Sequence, residues 1–152
     1  MRFEHLVQVN DFMNPLIEPL SRDELWAGLV RSVEEPALYL EGLDAMVVRS
    51  RAPGQLEREL RFGAVVILDR VTLVAGERIE IVADGTALHP EARRTISLED
   101  KPPGDLYLRF TYEIRPQGHA PWSAEDFALV KQAWLRADLD LAAKVRALCG
   151  KR

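Results

Sequence analysis

Cysteine is almost missing from this chain. Cys149 is the only one, which excludes an intrachain disulfide and any cysteine-based metal cluster and fits a reducing compartment. Long apolar runs are missing too. The longest uncharged apolar stretch, 62–68, falls far short of the roughly 18 residues needed to span a membrane, so no membrane insertion is expected. The N-terminus has no basic-then-apolar signal pattern, and the expected location is cytoplasmic. There is no excess of positive charge. The net charge is −4 with acids and bases interspersed, which argues against nucleic acid as a partner, because phosphate binding rests on a basic patch. Histidines 5, 89 and 119 are too scattered for a metal site, and no HExxH, GxSxG or phosphate-loop pattern occurs. No metal and no cofactor is expected.

What remains is an ordinary globular composition, 47% hydrophobic and 29% charged, over 152 residues: one domain, 1–152, by default. Its clearest feature is the C-terminal stretch from Ser123 to Cys149. Phe127, Val130, Trp134, Ala137, Leu141, Val145 and Leu148 recur at steps of three and four, one stripe of a long amphipathic helix. Glu125, Lys131, Gln132, Arg136, Asp140, Lys144 and Arg146 form its polar face. Ser123 is the expected N-cap, Trp122 and Phe127 a hydrophobic staple, and Gly150 with Lys151-Arg152 the stop.

Upstream, Phe3 to Asn10 alternates as a strand with Phe3, His5, Val7 and Val9 on one face. Pro15 and Pro19 make 11–20 a connection. Ser21 to Glu24 reads as a capping box stapled by Leu20 and Leu25. It opens a helix that buries Leu25, Trp26, Leu29, Val30 and Val33 and ends before Pro36. Pro36 to Leu40 reads as a second short helix. Period two then takes over, with strands expected at 44–50, 55–62, 65–74, 78–84, 92–99 and 106–114, separated by Gly- and Pro-bearing turns. Turns this short join antiparallel neighbours. In the last strand Leu106, Leu108, Phe110 and Tyr112 share an apolar face that needs a cover.

A two-residue turn at Gly63-Ala64 fixes one register. Phe62 faces Val65, Leu60 faces Ile67, Leu56 faces Val71, and Arg58 faces Asp69. The charged pair then lies on the inward side. It is either a structural ion pair or the polar floor of a cavity fixing a ligand's polar end. His5 reads as a satisfied inward histidine or an acid–base group, and Trp26 and Trp134 as core or cavity wall. Cys149 shows no base partner.

The order of strand, two helices, six strands and long helix resembles the helix-grip fold of the START-like (SRPBCC, Bet v 1-like) superfamily. The opening Met1 to Asp11, Asn14-Pro15-Leu16, Leu20 to Trp26, Pro36-Ala37-Leu38, Arg58 to Gly63 and Asp69 to Thr72 are similar to the AtaL-like family within it. The resemblance implies an α+β fold in which a curved antiparallel sheet of about seven strands wraps the C-terminal helix and leaves an apolar cavity. It carries no catalytic set. The leading expectation is a binder of a small hydrophobic molecule, held by Arg58, Asp69, His5, Trp26, Leu60, Phe62, Phe110, Tyr112 and Trp134. Two alternatives stay open. One is a cyclase- or dehydratase-like enzyme using Arg58, Asp69, His5 and Tyr112. The other is a protein-interaction domain with a vestigial cavity. Ligand identity and oligomeric state are not legible.

Overall fold

The computed structural model describes residues 1–87, 89–102, 104–116, 118 and 122–149. In chain order these form β1 (Arg2–Asn10), α1 (Arg22–Glu34), a single 3-10 turn (Pro36–Leu38), β2 (Ala45–Ala52), β3 (Gln55–Phe62), β4 (Val65–Val74), β5 (Arg78–Ala83), β6 (Glu91–Lys101), β7 (Asp105–Arg115) and α2 (Ala124–Leu148). The second short helix is thus one 3-10 turn, opened by Pro36 and stopped within three residues. The strands make one antiparallel sheet in the order β1-β7-β6-β5-β4-β3-β2. Every pair from β2 to β7 is a sequential neighbour, and only β1 crosses to lie beside β7.

Local chemistry places the helices as their sequences require. The Ser21 side chain accepts from the Glu24 amide while the Glu24 carboxylate accepts from the Ser21 amide, so the capping box closes. Leu25, Leu29 and Val33 face the core, while Trp26 is half-buried against it. Ser123 caps α2 by accepting from the Asp126 amide, and Trp122 and Phe127 pack 6.4 Å apart between ring centres. The stop expected from Gly150 to Arg152 lies outside the described residues, as does His119.

The stripe on α2 differs from its expectation at one position. Ala137 is exposed, and Asp138 occupies the buried centre between Trp134 and Leu141. Seating runs through 134, 138, 141 and 145, which leaves Ala137 about 70° off the line. Three residues assigned to the wet face are also half-buried with partners. Lys131 lies over the Phe3 and Phe127 rings, Lys144 donates to the Tyr39 carbonyl at 3.0 Å, and Arg146 donates to the Val9 and Glu18 carbonyls. Their aliphatic stems cover apolar surface while their heads find carbonyls or rings.

Arg146 ties α2 to β1 and to the connection that follows it. Asn10, itself buried, bonds both backbone groups of Leu20 and pins the other end of that connection. Where α1 crosses α2, Gly28 leaves room for Val145: a methyl at Gly28 would meet Val145 Cγ1 at 2.5 Å. The outer sheet face is not uniformly wet either. Glu59 is buried there, held by Arg49 at 2.6 Å and Arg61 at 2.5 Å.

Candidate functional site

The register of the sheet sets inward residues in rows. One row runs Phe3, Tyr112, Arg94, Ile81, Val71, Leu56 from β1 across to β3, and the next runs His5, Phe110, Ile96, Ile79. A third runs Ile114, Ala92, Ala83, Asp69, Arg58. Three polar side chains from the first two rows, His5, Tyr112 and Arg94, therefore stand side by side on β1, β7 and β6. Asp138 descends onto them from α2.

Asp138 has no exposed surface. Its carboxylate accepts from Arg94 Nη2 at 2.6 Å, from the Tyr112 hydroxyl at 2.7–2.8 Å, and from His5 Nε2 at 2.8 Å. A buried carboxylate persists when it is paired and its lone pairs are used, and three donors from three strands meet that condition. Burial works against the Arg94 charge, but Tyr112 and Asp138 outweigh it and hold the guanidinium above its usual pKa. Burial likewise raises the Tyr112 phenol, with Arg94 opposing and Asp138 adding to the shift, so the hydroxyl stays protonated and donates. The ring hydrogens of His5 follow from its partner: Nε2 faces a carboxylate and carries a proton, which leaves Nδ1 buried and without a partner. Arg94 Nε is the other buried atom lacking one.

Aromatic rings close the helix onto the sheet around this cluster. Trp134 stacks on Tyr112 with centres 4.2 Å apart and planes 1° from parallel. His5 stacks on Phe110 at 5.3 Å, and Arg94 lies over both the Phe110 and Tyr112 rings. Exposure is uneven across the cluster. The Arg94 side chain keeps 26% of its surface exposed, against 13% for His5. Beside Arg94 the inward positions of β5 and β6 are the half-buried Ala83 and Ala92, and the exposed Ala137 adjoins Asp138 on α2.

The expected site residues thus separate. His5, Phe110, Tyr112 and Trp134 come together. Arg58 and Asp69 pair in the expected register, with Arg58 Nε and Nη2 reaching the two Asp69 oxygens at 2.9 and 2.6 Å. That pair lies on β3 and β4, with β5 between it and Arg94 on β6, and it is capped by the Val33 carbonyl, which accepts from Arg58 Nη1 at 3.0 Å. Leu60 is buried opposite Ile67, Phe62 sits half-buried at the sheet's end, and Trp26 packs on α1. Arg94 and Asp138 were not foreseen, yet both leave a signal. Arg94 falls between Ala92 and Ile96 on the inward phase of β6, and Asp138 sits four residues after Trp134 and three before Leu141.

A crevice of about 710 Å³ lies elsewhere, between α1 and the end of α2, over Ala27, Gly28, Val145 and Leu148. Its charged rim is paired internally: Arg31 with Glu35, Glu34 with Arg51. Cys149 Sγ lies 3.2 Å from Glu24 there, and burial together with that carboxylate raises the thiol's pKa, which keeps it from acting as a thiolate. Among the described residues no group of three or more His, Cys, Asp or Glu is placed to hold a metal, and no helix is long and apolar enough to cross a membrane.

A seven-stranded antiparallel sheet bearing a long C-terminal helix is the Bet v 1-like, helix-grip arrangement, and solved structures share it. The di-domain ARO/CYC StfQ of the steffimycin biosynthetic pathway superposes with a TM-score of 0.71 at 13% identity, covering 99% of this chain and 51% of that one. The Zhui aromatase/cyclase from Streptomyces sp. R1128 gives 0.66 at 14% identity, covering 97% and 94%. Ara h 8.0201 gives 0.66 at 13%, covering 97% and 98%. The chain spans about half the length of StfQ and of the similar di-domain protein BexL. At these identities the likeness is one of fold. No curated protein matches the sequence. Residues 7–151 match the AtaL family, described as acetylaranotin biosynthesis cluster protein L, and the chain belongs to that family.

Proposed function

We propose that residues 1–152 act as one helix-grip unit that binds a small, largely apolar molecule on the inward sheet face, alongside α2, with its polar end at the Arg94–Asp138 cluster. The observation that carries this reading is a buried, partner-rich carboxylate on the covering helix, bordered by alanines where larger side chains would seal the interior. Mostly apolar pockets with a few fixed polar groups are the usual form of small-molecule sites. Arg58 and Asp69 serve this site as structure, since their charges are used up on each other and on Val33. The fold's occurrence in proteins named aromatase/cyclases and in Ara h 8.0201 fits such a role without selecting a ligand.

The test is a titration with N-phenyl-1-naphthylamine, a neutral fluorescent probe that adds no charge to the Arg94–Asp138 pair. Ala137→Trp fills the flank beside Asp138 from an exposed position, and Ala27→Trp fills the crevice between α1 and α2. Binding weakened at least tenfold by the first and spared by the second supports the inward site. The reverse pattern moves binding to the crevice and ends this reading.

His5 favours a second reading, acid–base work of the kind a cyclase or dehydratase needs. Asp138 fixes its Nε2, and the free Nδ1 lone pair is a buried base. In deuterated buffer such a base would take an α-proton from a bound ketone, leave the enolate, and return deuterium. Exchange accelerated by the protein and lost in His5→Gln supports catalysis; exchange at the buffer rate leaves binding alone.

A further inference from the structure

The geometry points to Arg94 as the residue that reads the ligand, and to a planar conjugated ring bearing a neutral carbonyl oxygen as what it reads. This rests on the binding site proposed above and goes further by naming its chemistry.

Three observations carry it. First, Arg94 Nε–H is buried without an acceptor. An unmet donor costs about 1–3 kcal/mol, so an acceptor oxygen arriving there gains more than it would in water. Second, the guanidinium is fixed before anything binds. One edge is held by Asp138, and one face lies over the Phe110 and Tyr112 rings at 5.4 and 5.8 Å. Next to it on the sheet the inward positions are the half-buried Ala83 and Ala92, the small side chains that a flat group lying against the sheet would meet. Flat guanidinium faces favour flat partners.

Third, the charge is already balanced. Arg94 and Asp138 cancel, and Tyr112 donates as a neutral phenol. A carboxylate placed on Arg94 would bring a second buried anion within reach of Asp138 with no new cation to meet it. A ketone oxygen accepts the same hydrogen bond and adds no charge.

The measurement compares three probes of one shape: 2-acetylnaphthalene, 2-isopropylnaphthalene and 2-naphthoate, titrated against the whole chain at pH 7.5. The expected order is ketone tightest, by about tenfold over the hydrocarbon, the worth of one good hydrogen bond, with the carboxylate weaker than the ketone. In Arg94→Met the ketone and hydrocarbon should bind alike. Should that variant fail to fold, the bound ketone in the unmodified protein still reports, because a donor on its oxygen lowers the carbonyl stretching frequency. Ketone and hydrocarbon binding equally, an unshifted carbonyl band, or naphthoate binding tightest would each overturn the inference while leaving the binding site standing. If none of the three binds, the site proposed above falls with it.

Discussion

The Tyr112 hydroxyl lies 2.7 and 2.8 Å from the two oxygens of Asp138, with its ring flat against Trp134, four residues earlier on the same helix. One tyrosine on β7 thereby takes both an apolar and a polar grip on α2. The helix is registered on the sheet by this residue and by Arg94 and His5, which share Asp138.

Removing Asp138 should therefore cost more than an average core change. Asp138→Ala leaves the Arg94 charge without its counter-ion, and breaking a buried pair on one side costs about 3–5 kcal/mol. Chemical denaturation should show a loss in that range. The double variant Asp138→Ala, Arg94→Met should lose less than the sum of the two single changes, because it removes both charges together. Additive losses would mean that the two side chains do not depend on each other.

The Arg58–Asp69 pair predicts a cleaner separation. Arg58→Met should destabilise by about 3 kcal/mol, since Asp69 is left buried and alone. Affinity for N-phenyl-1-naphthylamine in the folded variant should stay within about twofold, because 1.4 kcal/mol corresponds to tenfold and no contact is lost. A tenfold loss of affinity would return this pair to the site.

Gly28 sets the approach of α1 to α2. Alanine there gains about 1 kcal/mol of helix propensity but drives a methyl into Val145, which is 1% exposed and cannot swing away. Overpacking of this kind costs about 1–3 kcal/mol. Gly28→Ala should lower the thermal midpoint, and adding Val145→Ala should recover part of the loss. A Gly28→Ala protein as stable as the parent would contradict the crossing as described.

Alkaline pH offers a test of Tyr112. Its folded-state pKa is raised by burial, with Asp138 adding and Arg94 opposing, while the unfolded phenol titrates near its ordinary value of about 10. Between the two the folded state holds a proton that the unfolded state has released. The contribution is whole below pH 10 and is lost as pH rises above it. Tyr39 and Cys149 shift the same way, so the comparison is with Tyr112→Phe. The unmodified protein should lose stability more steeply above pH 10 than the variant. Equal slopes would mean that the phenol is not held protonated.

Much of this fold is legible in the sequence because its signals are local. The Ser21 capping box, the Gly63-Ala64 turn with its Arg58–Asp69 register, and the strand periodicity each depend on neighbours within a few residues. The candidate site is less so. His5, Phe110, Tyr112 and Trp134 could be placed on inward faces, yet the group they form depends on β1 crossing to β7 and on which turn of α2 meets it. Asp138 was hidden by a one-residue shift of the helix stripe, which the small Ala137 tolerates on either side. Arg94 was hidden because an inward arginine on a strand has meaning only once a carboxylate stands opposite it. Both would follow from asking which charged residues fall in phase with apolar neighbours.

The central claim is that a small molecule lies on the inward sheet face beside the Arg94–Asp138 cluster. The most direct measurement is isotope-edited NMR with methyl-labelled alanine and bound N-phenyl-1-naphthylamine, read as nuclear Overhauser contacts from ligand protons to alanine methyls. The account predicts contacts to Ala83, Ala92 and Ala137. Contacts to Ala27, on the wall of the crevice between α1 and α2, with none to those three, would contradict it.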